Sequence, residues 1–153
     1  MMTAADRLTE LGIMLPVAAA PVANYVPAVE AAGLLHISGQ IPFDESGALI
    51  LGRLGGGMDV EQGAAAARRC AIGLIAQMQA ALGSLDRVKR IVKLNIFVAS
   101  TADFFDQPLV GNGASDLMVA VFGEAGRHAR SAVGVAALPR GVAVEIDAVV
   151  QVG

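Results

Sequence analysis

The sequence predicts an α+β protein with a mixed sheet and two helices on one of its faces. Its 153 residues suffice for one domain. Hydrophobic residues make up 55% of the chain and charged residues only 16%, which excludes a disordered protein. Strand-like alternation and helical periodicity occur in the order strands, helix, strand, helix, two strands. That order is typical of an α+β fold.

The N-terminal segment, residues 1–20, is predicted to be an extension that precedes a single domain of residues 21–153. The longest uncharged stretch, 11–29, is apolar enough to suggest a membrane helix. It is interrupted by three prolines, which would leave backbone groups unsatisfied in a bilayer: Pro16, Pro21 and Pro27. We therefore expect no membrane segment.

Two strands are predicted within residues 29–41, on either side of a turn at Gly33. Because side chains alternate along a strand, His36 and Ser38 are expected on one face of the sheet. A further short strand is expected at 48–51.

A long helix is predicted over residues 60–82. Asp59 has the side chain of an N-cap, Gln62 lies where a capping box needs it, and Gly83 is suited to end the helix in a left-handed conformation. The Ala-rich sequence of this helix indicates that it is covered on more than one side.

The second half of the chain supplies a strand at 87–98, a helix within 103–123, and two closing strands at 130–137 and 142–151. The first of these strands is predicted to bury one face, formed by Val88, Val92, Leu94, Ile96 and Val98. In the last strand, Glu145 and Asp147 are expected on the face opposite the apolar residues, as a solvated surface or as the wall of a cleft.

Charge and composition narrow the possible functions. The net charge is −3, so nucleic-acid binding is not expected. The basic cluster lacks interleaved aromatic residues and is interpreted as a solvated strand face; it consists of Arg87, Lys89, Arg90 and Lys93. A domain with so little charge is expected to hide part of its surface against other subunits.

The reactive side chains are few. Cys70 is the only cysteine, so it forms no intrachain disulfide, and a reducing, cytoplasmic location is expected. His36 and His128 are interpreted as structural or surface histidines rather than proton shuttles. No metal-ligand spacing occurs, and neither a metal nor another cofactor is expected. Arg130 is an isolated cation in an apolar segment, either a surface residue or a guanidinium that binds a carboxylate or phosphate.

Four motifs make the sequence similar to a known family. They are SGQIP at 38–42, VK at 92–93 before IFV at 96–98, ARS at 129–131, and LPRG at 138–141 followed by VEIDA at 144–148. In order and spacing they resemble the Rid family, the reactive intermediate deaminases, also called YjgF-like and labelled endoribonucleases in older usage. The resemblance covers about residues 21–152.

The resemblance implies a chorismate-mutase-like fold assembled as a homotrimer, with clefts between subunits. It also implies hydrolysis of enamines and imines of 2-oxo acids to the 2-oxo acid and ammonia, without a cofactor. Arg130 corresponds to the arginine that holds the substrate carboxylate, and Glu145 to the acid that positions and activates water. Tyr25, Ser38 and Asn112 correspond to further substrate-binding residues.

Several positions depart from the family pattern. Ala132 replaces a frequent cysteine, and His128 stands where proline is common. Asn112 is followed by the segment 113–115, GAS, where many members carry a tyrosine. These departures bear on substrate preference more than on the type of reaction.

The spacing of Arg130 and Glu145 raises a geometric question. If the two closing strands formed a tight hairpin, the two residues would lie roughly 17 Å apart, too far to share a small substrate. Either the strands are not neighbours or a second subunit completes the site, and the low charge favours the second explanation. The alternative function is a non-enzymatic trimer that binds small carboxylates or a partner protein.

Overall fold

The computed structural model describes residues 1–21 and 23–153, which form one five-stranded sheet and three α-helices. The strands are β1 Ala28–Ala31, β2 Leu34–Gln40, β3 Val88–Ala99, β4 Ala129–Val135 and β5 Val144–Val152. The helices are α1 Ala4–Glu10, α2 Val60–Leu82 and α3 Gln107–Phe122.

The sheet is mixed, as predicted. Its strand order is β1-β2-β5-β3-β4, and every neighbouring pair is antiparallel except β3 and β4, which are parallel. Helices α2 and α3 pack against each other and cover the same face of the sheet, here called the helix face. The opposite, uncovered side is the open face. The predicted α+β class is confirmed.

Helix α2 begins and ends where the sequence predicts. The Asp59 side chain accepts from the Gln62 backbone N–H at 2.8 Å, and the Gln62 side chain accepts from the Asp59 N–H in return. Gly83 ends the helix with a φ of 77°, in the left-handed region that favours glycine. The helix is buried on several sides, which explains its small side chains.

Two predictions along the strands are wrong. Val92 is 37% exposed and Ile91 is fully buried in its place, because a bulge between Ile91 and Lys93 interrupts the alternation of β3. Residues 48–51 do not form a strand. They contribute only isolated bridges, Phe43 to Leu49 and Leu51 to Val142, because this segment runs past the end of the sheet.

The two closing strands do not form a hairpin, because β3 lies between β4 and β5. After a short 3₁₀ turn at Pro139–Gly141, the chain passes to the far side of β3 and enters β5. The first of the two explanations for the Arg130–Glu145 spacing is therefore correct, because the two closing strands are not neighbours.

The N-terminal segment packs on the rest of the chain. Helix α1 is capped by Thr3, and its Leu8 is buried in the same hydrophobic core as α2 and α3. The Arg7 guanidinium donates to the carbonyl oxygen of Val121 at 3.3 Å, near the end of α3. Residues 1–20 therefore contribute to the core.

Within residues 1–21 and 23–153, no helix combines the length and the apolar character that crossing a membrane requires.

The contact between α2 and α3 depends on Gly113, because a Cβ there would overlap the backbone carbonyl of Ala64. We expect Gly113→Ala to destabilise the protein by about 2 kcal/mol or more, since backbone atoms cannot move aside as a side chain can. The measurement is equilibrium unfolding in urea.

Gly73→Ala on α2 is the matched control, because its Cβ would meet Gln40 at an ordinary 3.5 Å. That change should be neutral or stabilise by up to about 1 kcal/mol, the helix propensity difference. Equal effects of the two substitutions would contradict the close helix contact.

Candidate functional site

A cleft on the open face holds three of the five predicted site residues. Tyr25, Ser38 and Glu145 line it together, and its volume is about 660 Å³. The remaining lining comes mainly from β2, β3 and β5, including His36, Gly39, Asn95, Asp147 and Val149. The alternation of β2 and β5 brings these side chains to one face, as the sequence predicts.

Glu145 is the half-buried acid of this cleft. It lies opposite Phe97 of β3, while its neighbours Val144 and Ile146 are fully buried on the helix face. Its carboxyl packs against Gly39, where a Cβ would come within 2.7 Å of Oε2. Burial, and secondly the nearby Asp147 carboxylate, raise the pKa of Glu145 above the ordinary glutamate value.

Asp147 is held by a hydrogen bond from Asn95. The Asn95 side-chain amide donates to Asp147 Oδ1 at 2.7 Å across the β3–β5 pair. This hydrogen bond fixes the Asp147 carboxylate, a hydrogen-bond acceptor, on the open face of the sheet, two residues along β5 from Glu145. The sequence placed Asp147 beside Glu145 on a solvated surface or a cleft wall, and the structure shows the cleft wall; Asn95 was not singled out.

Ser38 and Tyr25 form the other side of the cleft. The Ser38 hydroxyl donates to the carbonyl oxygen of Val26 at 3.1 Å, which ties β2 to the segment that carries Tyr25. Tyr25 is 50% exposed, so its ring is available to a ligand or to another protein surface.

Arg130 lies elsewhere, on the helix face. It is opposite Leu94 of β3, and its guanidinium reaches α3. Nη1 donates to Ser115 Oγ at 3.0 Å, and Nη2 donates to the carbonyl oxygen of Pro108 at 3.1 Å. No carboxylate lies within 4 Å of it in the part of the chain that the structure describes. Its charge is therefore free to bind an anionic ligand.

Asn112 is on α3, half-buried, three residues before Ser115. The contact to Arg130 is made by Ser115, which the sequence indicated only as part of a departure from the family pattern. Gly111 provides space for the guanidinium, because a Cβ there would lie 3.2 Å from Arg130 Nη1. The sequence feature that could have indicated Ser115 is its position four residues after Gly111, because this spacing places both residues on one side of α3.

One chain does not bring Arg130 and Glu145 together. The strand registers place them three residues apart along the strands and two strand spacings apart across the sheet, about 14 Å between Cα atoms. Their side chains also point to opposite faces. Within a chain, Tyr25, Ser38 and Glu145 form one group, whereas Arg130 belongs with α3.

In the ranges 1–21 and 23–153, no three or more His, Cys, Asp and Glu side chains cluster as a metal site would require. Cys70 is fully buried on α2, and burial raises the pKa of its thiol well above the usual value. This fits the predicted role of Cys70 as a small apolar residue.

The five-stranded mixed sheet under two helices is the fold of the YjgF and chorismate-mutase-like proteins. A family model described as "YjgF/chorismate mutase-like, putative endoribonuclease" matches residues 5–144. The chain belongs to this family, which confirms the membership indicated by the sequence motifs.

Three relatives illustrate the range of similarity. Protein TCP17 of Trypanosoma cruzi is 57% identical over 148 residues, which are 96% of this chain and 92% of that protein. The crystal structure of a "putative endoribonuclease" from Shewanella oneidensis has a TM-score of 0.95 at 34% identity, covering 99% of this chain and 100% of that one. RidA from an Antarctic Psychrobacter has a TM-score of 0.63 at 32% identity, covering 89% and 94%.

The environment of Glu145 predicts how stability depends on pH. Because its pKa is raised in the folded state, the ionised carboxylate is disfavoured there relative to the unfolded chain. The protonated Glu145 side chain contributes fully to the free energy of unfolding below the unfolded pKa of glutamate, about 4.3. This contribution is lost as the pH rises through the higher pKa of the folded state. We expect Glu145→Gln to raise the Tm at pH 8 and to leave it nearly unchanged at pH 4.

The measurement is thermal unfolding across this pH range. Glu45→Gln, at an exposed position in a turn, is the control and should follow the wild type at both pH values. A lower Tm for Glu145→Gln at pH 8 would contradict the burial argument.

Proposed function

We propose that the protein is a deaminase that hydrolyses enamines and imines of 2-oxo acids to the 2-oxo acid and ammonia, with no metal or other cofactor. The observation that carries the proposal is a pair of uncompensated charges. Arg130 lacks a carboxylate partner in the described residues, and Glu145 is a half-buried acid in a cleft. The similarity to RidA supports the same class of reaction.

The proposed chemistry requires little from the protein. An imine of a 2-oxo acid carries a carboxylate and an electrophilic carbon, and it hydrolyses in water without a catalyst. Arg130 would hold the carboxylate through two parallel N–H donors and thereby orient the substrate. Glu145 would take a proton from the attacking water, and its negative charge would stabilise the protonated iminium.

A raised pKa suits Glu145 to this role. A general base works best when its pKa is close to the working pH, since it is then ionised yet basic enough to accept a proton. The pKa shift of Glu145 is in that direction. Tyr25 and Ser38 would contact the substrate from the other side of the cleft, and Asn112 from α3.

We further propose that two copies of the chain form each site, in a homotrimer. Arg130 and Glu145 of one chain are on opposite faces and about 14 Å apart, so a small substrate cannot touch both. A second copy against the open face would bring its own Arg130 to Glu145 of the first. Exposed apolar residues on or beside that face support an interface there, namely Tyr25, Val29, Val92 and Val133.

Two other functions are less well supported. A ribonuclease would use the basic cluster, but no aromatic side chains are interleaved in it for base stacking, and one of its four residues, Arg87, is paired with Glu30 at 3.3 Å and donates to the Gly153 carbonyl. A non-enzymatic trimer that binds small carboxylates would use Arg130 as well. Unlike the deaminase, such a trimer would catalyse no reaction, so substitution of Glu145 would abolish no turnover.

The first test is imine hydrolysis. An amino-acid oxidase generates the imine in situ, and semicarbazide competes for it, so an active protein lowers the yield of trapped product. We expect the wild type to suppress trapping, and Glu145→Gln to lose activity by about 10²-fold or more, as expected for a general base. Arg130→Ala should lose activity mainly through weaker substrate binding.

Arg90→Ala is the matched control, because Arg90 is an exposed arginine of β3 that lies opposite Gln151 and does not line the cleft. If adding the wild type leaves the yield of semicarbazide-trapped product unchanged for small, branched and aromatic imines, the deaminase proposal is wrong. Carboxylate binding that depends on Arg130 would then favour the binding protein.

The second test is subunit complementation. We expect Arg130→Ala and Glu145→Gln each to show little activity alone, and mixed and reassembled subunits to restore sites in which one copy supplies Arg130 and the next Glu145. Random mixing of equal amounts makes about a quarter of the sites complete. A mixture no more active than its components would mean that each chain builds its own site.

A further inference from the structure

We propose that Ser115 and His128 form a nucleophile and base pair that hydrolyses small activated esters. Ser115 Oγ is 2.9 Å from His128 Nε2, and His128 Nδ1 is 2.6 Å from the carbonyl oxygen of Gly126. A serine within hydrogen-bond reach of a histidine that is itself oriented by a third group is the arrangement of an activated nucleophile. The proposal does not depend on imine hydrolysis.

The hydrogen bonds determine which nitrogen carries the proton. The carbonyl of Gly126 can only accept, so Nδ1 must be the donor. In the neutral imidazole, Nε2 then has a free lone pair and accepts the Ser115 hydroxyl proton. Arg130 Nη1 donates to the same Oγ at 3.0 Å, which leaves the Ser115 hydrogen directed at His128.

The local backbone holds this tautomer in place. His128 follows the 3₁₀ turn Gly123–Gly126 and immediately precedes β4. Gly126 is packed so closely against α3 that a Cβ would overlap the Met118 carbonyl. The carbonyl that accepts from His128 is therefore fixed relative to the helix that carries Ser115.

Arg130 supplies the positive charge that an acyl-transfer site needs. Its Nη1 lies 3.0 Å from Oγ, close enough to donate to the carbonyl oxygen of an ester bonded to Oγ, which becomes the oxyanion of the tetrahedral intermediate, and it has no carboxylate partner in the described residues. The neighbouring Gly111 and Ala132 have little or no side chain. The Arg130 guanidinium already fills the space that Gly111 leaves beside Ser115, so only a small acyl group is expected to fit there. Ser115, His128 and Arg130 are all partly exposed.

The reaction balances without any other group. Ser115 Oγ bonds to the carbonyl carbon of the ester while its proton moves to His128 Nε2. The bond to the alcohol breaks, and the alcohol leaves with that proton. Water then attacks the acyl-serine, His128 takes the proton of the water, and Ser115 recovers it as the acid departs. One ester and one water give one acid and one alcohol.

The test uses p-nitrophenyl acetate with the full chain. We expect a burst of p-nitrophenolate and, in the quenched wild type, one acetyl group that peptide mass mapping locates on Ser115. Ser115→Ala should abolish both, and His128→Gln should slow acetylation by about 10²-fold, as expected for loss of a general base. Ser131→Ala, at an exposed serine of β4, is the control and should behave as the wild type.

Mapping on the wild type keeps the test valid even if a variant folds poorly. Acetyl groups found on lysines or on His128 but not on Ser115, or no acetylation, would overturn the proposal. So would a burst that survives in folded Ser115→Ala. In either case the three side chains would form only a structural hydrogen-bond network.

Discussion

The position of β3 between β4 and β5 is the constraint on which the rest of the structure depends. β3 pairs in parallel with β4 and antiparallel with β5, so it separates the strand that carries Arg130 from the strand that carries Glu145. The parallel pair requires a crossover connection, and α3 supplies it. Gly113 of α3 lets this helix approach α2 closely, so that the two helices together cover the hydrophobic core.

This arrangement distributes the chemistry over two faces. β5 carries Glu145 and Asp147 on the open face, whereas β4 carries Arg130 toward α3. The acid is thus separated from the cation, and neither charge is neutralised by the other. A half-buried carboxylate, and a guanidinium with no carboxylate partner among the described residues, are costly unless a ligand or a second copy pairs with them, which is the physical reason for proposing that they bind and act on a substrate.

The surroundings of Arg130 show how a departure from a family pattern can be informative. Its contacts to α3 are to a hydroxyl and a carbonyl, which orient the guanidinium without neutralising its charge. His128 and the segment 113–115 that contains Ser115 depart from the pattern of the resembled family, and Ser115 contacts both His128 and Arg130. Substitutions that appeared as isolated differences in the sequence therefore form one cluster in space.

The sequence alone determined the α+β class, the limits of α2, the alternation of β2 and β5, and the family. These features depend on local capping, periodicity and short motifs. It could not give the exposure of Val92, which a bulge in β3 decides, nor the order of the last strands. The meeting of Ser115 with His128, and the separation of Arg130 from Glu145, were likewise decided only by tertiary structure. Strand order and register are set by packing between distant segments, to which local sequence patterns do not respond.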